Sequence, residues 1–175
     1  RNFGIKKAKY DWIAFLDSDD KWDKKKLSEV NKVIMKNNVD IIFHGMYFLP
    51  KTLGIFKKIK KDKNSIIKEP VFNTLIEDGN KIINSSAVVK KIKLIEIDLI
   101  SEKYEKFSWE DYDCWLRLSQ KKNKFYFINK VLGYCWNGRG RVSNNFQSFK
   151  NSKNIMKTYK NSIDKILGDQ AKRPK

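Results

Sequence analysis

Cysteine, histidine and proline are scarce in this sequence, and acidic residues are heavily outnumbered. Two cysteines, Cys114 and Cys135, in 175 residues are too few for a disulfide framework, and no CxxC or Cys/His array offers a zinc module. A reducing, cytoplasmic setting is the expectation. With three prolines and eight glycines, no Gly-, Ser- or Pro-rich linker divides the chain. No stretch approaches the about 18 consecutive apolar residues that span a bilayer, and no leader pattern precedes the first apolar run. Internal repeats are also missing.

What is present supports a core. Hydrophobic residues make up 41% of the chain and aromatics 13%, so disorder is excluded despite a mean hydropathy of −0.63. The length is that of one domain. Lysine and arginine total 38 against 20 acids, a net charge of +18. Such a balance admits three partner classes: nucleic acid, an anionic membrane surface, or a phosphate-rich small substrate.

The order of elements narrows this. Residues 1–9 read as a short helix, and residues 12–16 (WIAFL) as a buried strand that stops abruptly at Asp17-Ser18-Asp19-Asp20. Leu27, Val30 and Ile34 follow helical spacing, with a cap near Asp23 and a stop at Asn37-Asn38. Residues 40–49 read as the next strand, with Gly45 marking a bulge or a close backbone approach. The lysine-heavy residues 50–69 read as an exposed hairpin or loop, and residues 71–77 as a short helix. Trp109, Tyr112 and Leu116 predict a helix over 110–121 with Ser108 as its N-cap. Residues 125–128 read as a strand, residues 133–145 as a mobile loop, and Phe149, Met156, Tyr159, Ile163 and Ile166 as one terminal amphipathic helix among lysines. The sole histidine, His44, falls within a strand and reads as a satisfied structural residue.

Three carboxylates crowded at a strand end repel one another unless a cation or donor groups compensate them. A hard divalent ion, Mg²⁺ or Mn²⁺, does this with oxygen ligands and substrate phosphates. The plain alternative is an acidic turn that caps the following helix.

Context favours the first reading. The run Arg1-Asn2-Phe3-Gly4-Ile5-Lys6-Lys7-Ala8, followed by Trp12-Ile13-Ala14-Phe15-Leu16-Asp17-Ser18-Asp19-Asp20, resembles the centre of family 2 glycosyltransferases of the GT-A fold. The resemblance resumes at Trp109-Glu110-Asp111-Tyr112-Asp113-Cys114-Trp115-Leu116, similar to that family's E-D helix, and extends through Leu132-Gly133-Tyr134 and Val142-Ser143. It implies an α/β fold with a mixed, mostly parallel sheet flanked by helices. Residues 1–145 then form the C-terminal part of a GT-A domain, lacking at the N-terminus the portion that binds the nucleotide base, and 146–175 a basic helix and tail.

The resemblance also implies roles. Asp17 and Asp19 would hold a divalent metal at the diphosphate of a nucleotide-sugar donor, with Arg1 and Asn2 beside it and Asp20 as a secondary contact. Asp111 would be the general base on the acceptor hydroxyl, supported by Glu110; a single base implies one in-line displacement and hence inversion. Trp109, Asn84 and Ser85 would meet the acceptor, a carbohydrate or a lipid-linked one, in surface polysaccharide or glycan synthesis. For Trp109 the equal alternative is core packing and for Asn84 and Ser85 a turn; for Asp111 the alternative, and for Asp113 the leading reading, is stabilisation of the first helical turn.

Many relatives carry a histidine after the E-D helix. Here Arg139 and Arg141 stand in that loop and would neutralise the diphosphate instead, the alternative being a plain exposed basic loop. The lysine-rich loop and terminal helix would face an anionic membrane at the inner face; nucleic acid is disfavoured because no motif for it occurs. An exposed sheet edge would invite self-association. The competing readings are a basic membrane- or nucleic-acid-binding module and a catalytically inactive fragment of a glycosyltransferase.

Overall fold

Short branched and aromatic runs become strands here, and the lysine-punctuated stretches become helices packed on both faces of one sheet. The structure, a computed structural model, describes residues 1–49, 60–61, 67–102, 109–136 and 145–171. The elements in chain order are α1 (Asn2–Lys7), β1 (Trp12–Ala14), β2 (Lys21–Trp22), α2 (Lys26–Lys36), β3 (Ile41–Leu49) and β4 (Lys60–Lys61). There follow α3 (Val71–Asp78), a 3-10 turn at Asn84–Ser86, β5 (Val88–Lys90), α4 (Lys91–Glu96), α5 (Glu110–Gln120), β6 (Phe125–Trp136), α6 (Asn145–Thr158) and α7 (Lys160–Ala171).

The strand order is β1-β5-β3-β6-β2, with β4 against β3. The α/β class and mixed sheet agree with expectation, but the balance of directions does not. Among the described residues only β3 and β6 pair in parallel; β1/β5, β3/β5, β3/β4 and β2/β6 are antiparallel. Two of these four pairings come from the three-residue β5, wedged between β1 and β3 and running against both. β1, β3 and β6 therefore still point the same way, and their carboxyl ends share one edge of the sheet.

Alternation along the strands feeds two cores. Ile41, Phe43 and Val89 face the larger one with Leu75 of α3, Leu94 of α4 and Trp115, Leu116 and Leu118 of α5. Ile42, Val88, Ile128 and Leu132 face Val30 and Val33 of α2 on the other side. Trp115, only 1% exposed, donates its indole N–H to the Ile82 carbonyl at 3.0 Å and meets Phe15 edge-on at 6.2 Å. Burying such a ring stabilises by about 2–3 kcal/mol. It also ties α5 to the segment that carries the acidic turn.

Several expectations shift. Helix α2 buries Lys26, Val30 and Val33, whereas Leu27 points outward, because the buried stripe is rotated by one residue from the Leu27–Ile34 line. Residues 133–136, expected in a loop, extend β6, which pairs with β2 at Gly133↔Trp22. Glycine is required there by close packing: a Cβ would sit 2.7 Å from Met46 Sδ and 3.0 Å from the Lys21 carbonyl. Gly45 does mark a register shift between β3 and β6. The terminal amphipathic pattern is two helices, and its apolar set divides: Ile155, Tyr159, Ile163 and Ile166 join the larger core, while Phe149 and Met156 are exposed. His44 is buried with Nδ1 2.9 Å from the Gly45 carbonyl, but its Nε2 has no partner, so it is only half satisfied. Most of residues 50–69, together with Ser108, lie outside the described residues. None of the described helices is long and apolar enough to cross a membrane.

Candidate functional site

The site begins where β1 stops. Phe15 N–H still bonds the Ala87 carbonyl at 3.1 Å, as a strand residue would. Asp17 N–H instead finds a side chain, Ser85 Oγ, at 2.9 Å. The turn then closes on itself, Asp20 N–H donating to the Asp17 carbonyl at 3.1 Å, and Asp20 Oδ1 accepts the Trp136 N–H at 3.1 Å. The acidic turn is thus held from the 3-10 turn on one side and the end of β6 on another.

Asp17 Oδ1 accepts two side-chain hydrogen bonds, from Arg1 Nη2 at 2.6 Å and Asn84 Nδ2 at 2.8 Å. Arg1 turns its other terminal nitrogen, Nη1, to Glu110 Oε1 on α5. One guanidinium therefore joins the two acidic motifs. Burial works against this cation, and the Asp17 and Glu110 carboxylates outweigh it, holding its pKa above the ordinary arginine value. The second Glu110 oxygen, Oε2, is buried without a partner.

Asp111 sits beside this bridge at the first turn of α5. Its Oδ1 accepts the Tyr112 N–H at 2.7 Å and its Oδ2 the Asn80 amide at 3.2 Å. Its pKa is pushed up to about 7, chiefly by burial and then by the neighbouring Glu110 charge; the Tyr112 N–H, Asn80 and Arg1 pull the other way. A half-buried carboxyl group that exchanges its proton near neutrality has the property required of a general base. Asp113 plays a different part: it is buried, paired with Arg117 Nε at 2.7 Å, and accepts the Tyr159 hydroxyl at 2.8 Å. Arg117 also reaches the Ile97 and Leu99 carbonyls, so this cluster fastens helix to helix.

The other expected site residues have these surroundings. Asn2 gives its amide to Ile100 O and Glu102 Oε1 and accepts Ile100 N–H, and so splices α1 to residues 100–102. Asn84 and Ser85, expected at the acceptor, are buried; Asn84 Nδ2 and Ser85 Oγ bond Asp17, while Asn84 Oδ1 is buried without a partner among the described residues. Trp109 is half-buried and meets Tyr112 edge-on at 5.5 Å, next to Glu110 at the rim of the larger core. Asp19 is exposed on the turn, with no hydrogen bond or ion pair among the described residues. Arg139 and Arg141 lie outside the described residues.

Among the described residues no three acidic, histidine or cysteine side chains converge as a ready metal cage. The donor set nevertheless suits a hard cation: Asp17 Oδ2 and both Asp19 oxygens are uncommitted, and phosphate oxygens would complete the shell. A cavity of about 150 Å³ opens beside Arg1, Asn2, Ser101, Glu102 and Glu110. A larger one, about 470 Å³, lies at the opposite sheet edge by Asn38, Phe72 and Asn123, away from these acids.

Two participants escape sequence reasoning. Asn80 has no motif around it. Lys26 is fully buried, its Nζ 2.8 Å from the Ser85 carbonyl and 3.9 Å from the centre of the Trp22 ring. The Trp22–Lys26 spacing of one helical turn was its only trace.

The chain is similar to several known proteins. The model of the family "Glycosyl transferase family 2" matches residues 1–103. An uncharacterised glycosyltransferase of Methanocaldococcus jannaschii is 29% identical over 135 residues, which is 75% of this chain and 44% of that protein. Another, of Haemophilus influenzae, is 31% identical over 138 residues, 77% of this chain and 45% of its own length. This chain spans less than half the length of either. Among solved structures, S. aureus TarS 1-349 in complex with UDP-GlcNAc superposes with a TM-score of 0.61 at 19% identity, covering 81% of this chain and 39% of that one. The same protein in complex with UDP gives 0.58 over 78% of this chain and 38% of that one, again at 19% identity. At that identity the likeness establishes the fold.

Proposed function

This chain belongs to glycosyl transferase family 2, and on that premise we propose that it transfers a sugar from a nucleotide-sugar donor to a hydroxyl of a carbohydrate or lipid-linked acceptor, with inversion. The observation that carries the reading is Asp111, a carboxyl group poised near neutrality and linked through Glu110 and Arg1 to Asp17. The donor class is supported by the similar TarS structures, which are complexes of that protein with UDP and with UDP-GlcNAc.

Asp111 takes the proton from the acceptor hydroxyl as its oxygen attacks the anomeric carbon. Asn80 and the Tyr112 N–H fix the two carboxyl oxygens, so that proton transfer needs no rotation of the base. Asp17 and Asp19 would hold Mn²⁺ or Mg²⁺, which when bound neutralises the charge developing on the departing diphosphate. Arg1 keeps Asp17 Oδ1 occupied and leaves Oδ2 for the cation. The acceptor fits synthesis of a surface polysaccharide or other glycan.

A second observation supports peripheral contact with an anionic membrane. The outward side of α6 carries Phe149, Lys150, Lys153, Met156 and Lys157, all exposed, with Lys153 Nζ 4.6 Å from the Phe149 ring centre. Helix α6 contains no acid. Lysines around protruding apolar side chains are what a negatively charged bilayer surface attracts.

The test is nucleotide release from a panel of UDP-, GDP- and dTDP-sugars by the full-length protein with Mn²⁺, with and without oligosaccharide acceptors. Release from one donor class that Asp111→Asn abolishes supports the reading. Release from none, or release unchanged in Asp111→Asn, sinks it.

A further inference from the structure

Lys26 is an ammonium in an unfavourable place. It has no solvent exposure, and its pKa falls to about 7 because burial disfavours the charged form. Of its three donor positions, one meets a carbonyl oxygen, Ser85 O, and the group otherwise lies over the Trp22 ring. A methionine would fill the same unbranched volume without that desolvation cost. What lysine adds is a second donor to the Ser85 carbonyl, beside Trp22 Nε1 at 2.9 Å.

Ser85 is the residue on which the acidic turn rests. Its Oγ accepts the Asp17 N–H, and its neighbour Asn84 holds Asp17 Oδ1. Residues 84–86 form a single 3-10 turn, so a carbonyl anchored at Ser85 fixes the orientation of both side chains. Neither Lys26 nor Trp22 is bonded to the acids themselves.

We propose that Lys26, together with Trp22, is a positioning residue: by anchoring the Ser85 carbonyl it fixes Asp17 where the donor diphosphate and its cation would bind. The inference rests on the glycosyl-transfer reading for what Asp17 binds, and on geometry alone for what holds Asp17. On this reading Lys26 costs fold stability and gives site order.

The experiment compares the full-length protein with its Lys26→Met variant, and with Trp22→Phe, by thermal unfolding, amide hydrogen exchange at Asp17 and calorimetric binding of UDP with Mn²⁺. The expected result is a melting temperature for Lys26→Met equal to or above that of the parent, Asp17 amide exchange at least about 10-fold faster, and UDP affinity at least about 10-fold weaker. Trp22→Phe should speed the same amide. Unchanged Asp17 exchange in a folded Lys26→Met protein would overturn the proposal, as would a variant that does not fold, since that makes Lys26 a general structural residue. Failure of the parent itself to bind UDP would count against the glycosyl-transfer reading, while the exchange data would still decide the role of Lys26.

Discussion

Arg1 and Asp17 are 2.6 Å apart, nitrogen to oxygen, and the same guanidinium also holds Glu110. A strand end and a helix start that are distant in sequence share one cation. Arg1→Met leaves both carboxylates without it. The Asp111 pKa, lowered in part by Arg1, should then rise, moving the basic requirement of the pH–rate profile upward. Activity at neutral pH should fall roughly 100-fold, the scale of a misplaced reacting group. Lysine at the same position restores charge but not the two-pronged geometry, and should recover only the pH profile.

Asp111→Asn should separate stability from activity. A carboxyl raised from 3.8 to about 7 in the fold binds more protons folded than unfolded, so its presence costs stability progressively as pH rises through that window. The variant should unfold at a higher temperature than the parent at pH 8 and at a similar one near pH 4. Its transfer rate should drop by roughly 10²–10⁴-fold.

His44 predicts the acid limb. Burial, aided by the Lys26 charge and opposed by the Gly45 carbonyl, lowers its pKa from 6.5 to about 4. The folded state resists protonation that the unfolded chain accepts, so stability is lost as pH falls from about 6.5 towards 4. Denaturant unfolding of His44→Gln across that range should show a shallower decline.

Gly133→Ala should destabilise by about 1–3 kcal/mol through overpacking against Met46 and the Lys21 carbonyl. Met46→Ala in the same chain should relieve the sulfur clash but not the carbonyl one. The double variant should therefore lose less stability in urea unfolding than the sum of the two single losses.

Flotation with vesicles checks the α6 face. Binding to vesicles containing phosphatidylglycerol, absent with phosphatidylcholine alone, should weaken in high salt and fall several-fold in Phe149→Ser/Met156→Ser. Retention of binding in that double variant would leave charge alone as the cause.

The strand-then-acid pattern at residues 12–20 and the helix from Glu110 are legible because each joins a strong periodicity to an abrupt change in chemistry. The wiring between them is not. Asn84 and Ser85 read as ligand-facing because polar residues near a site usually are, yet Ser85 Oγ takes up the Asp17 N–H that no strand partner accepts and Asn84 Nδ2 bonds the Asp17 carboxylate. Lys26 is illegible because a lysine on a helix is expected in water, and only the stacked Trp22 and the Ser85 carbonyl make an interior position tolerable. The parallel order expected of the sheet misleads for a similar reason: a strand of three residues, Val88–Lys90, leaves too little pattern to show its direction.

Tyr159 stands between α6 and α7, and its hydroxyl reaches Asp113 on the helix that begins with Glu110 and Asp111. Whatever pulls on the last two helices therefore pulls on the far side of α5. A surface that docks through Phe149 and Met156 would not be mechanically silent: capture at an interface, or a protease cut before Tyr159, would be felt as strain or slack at the amino end of α5.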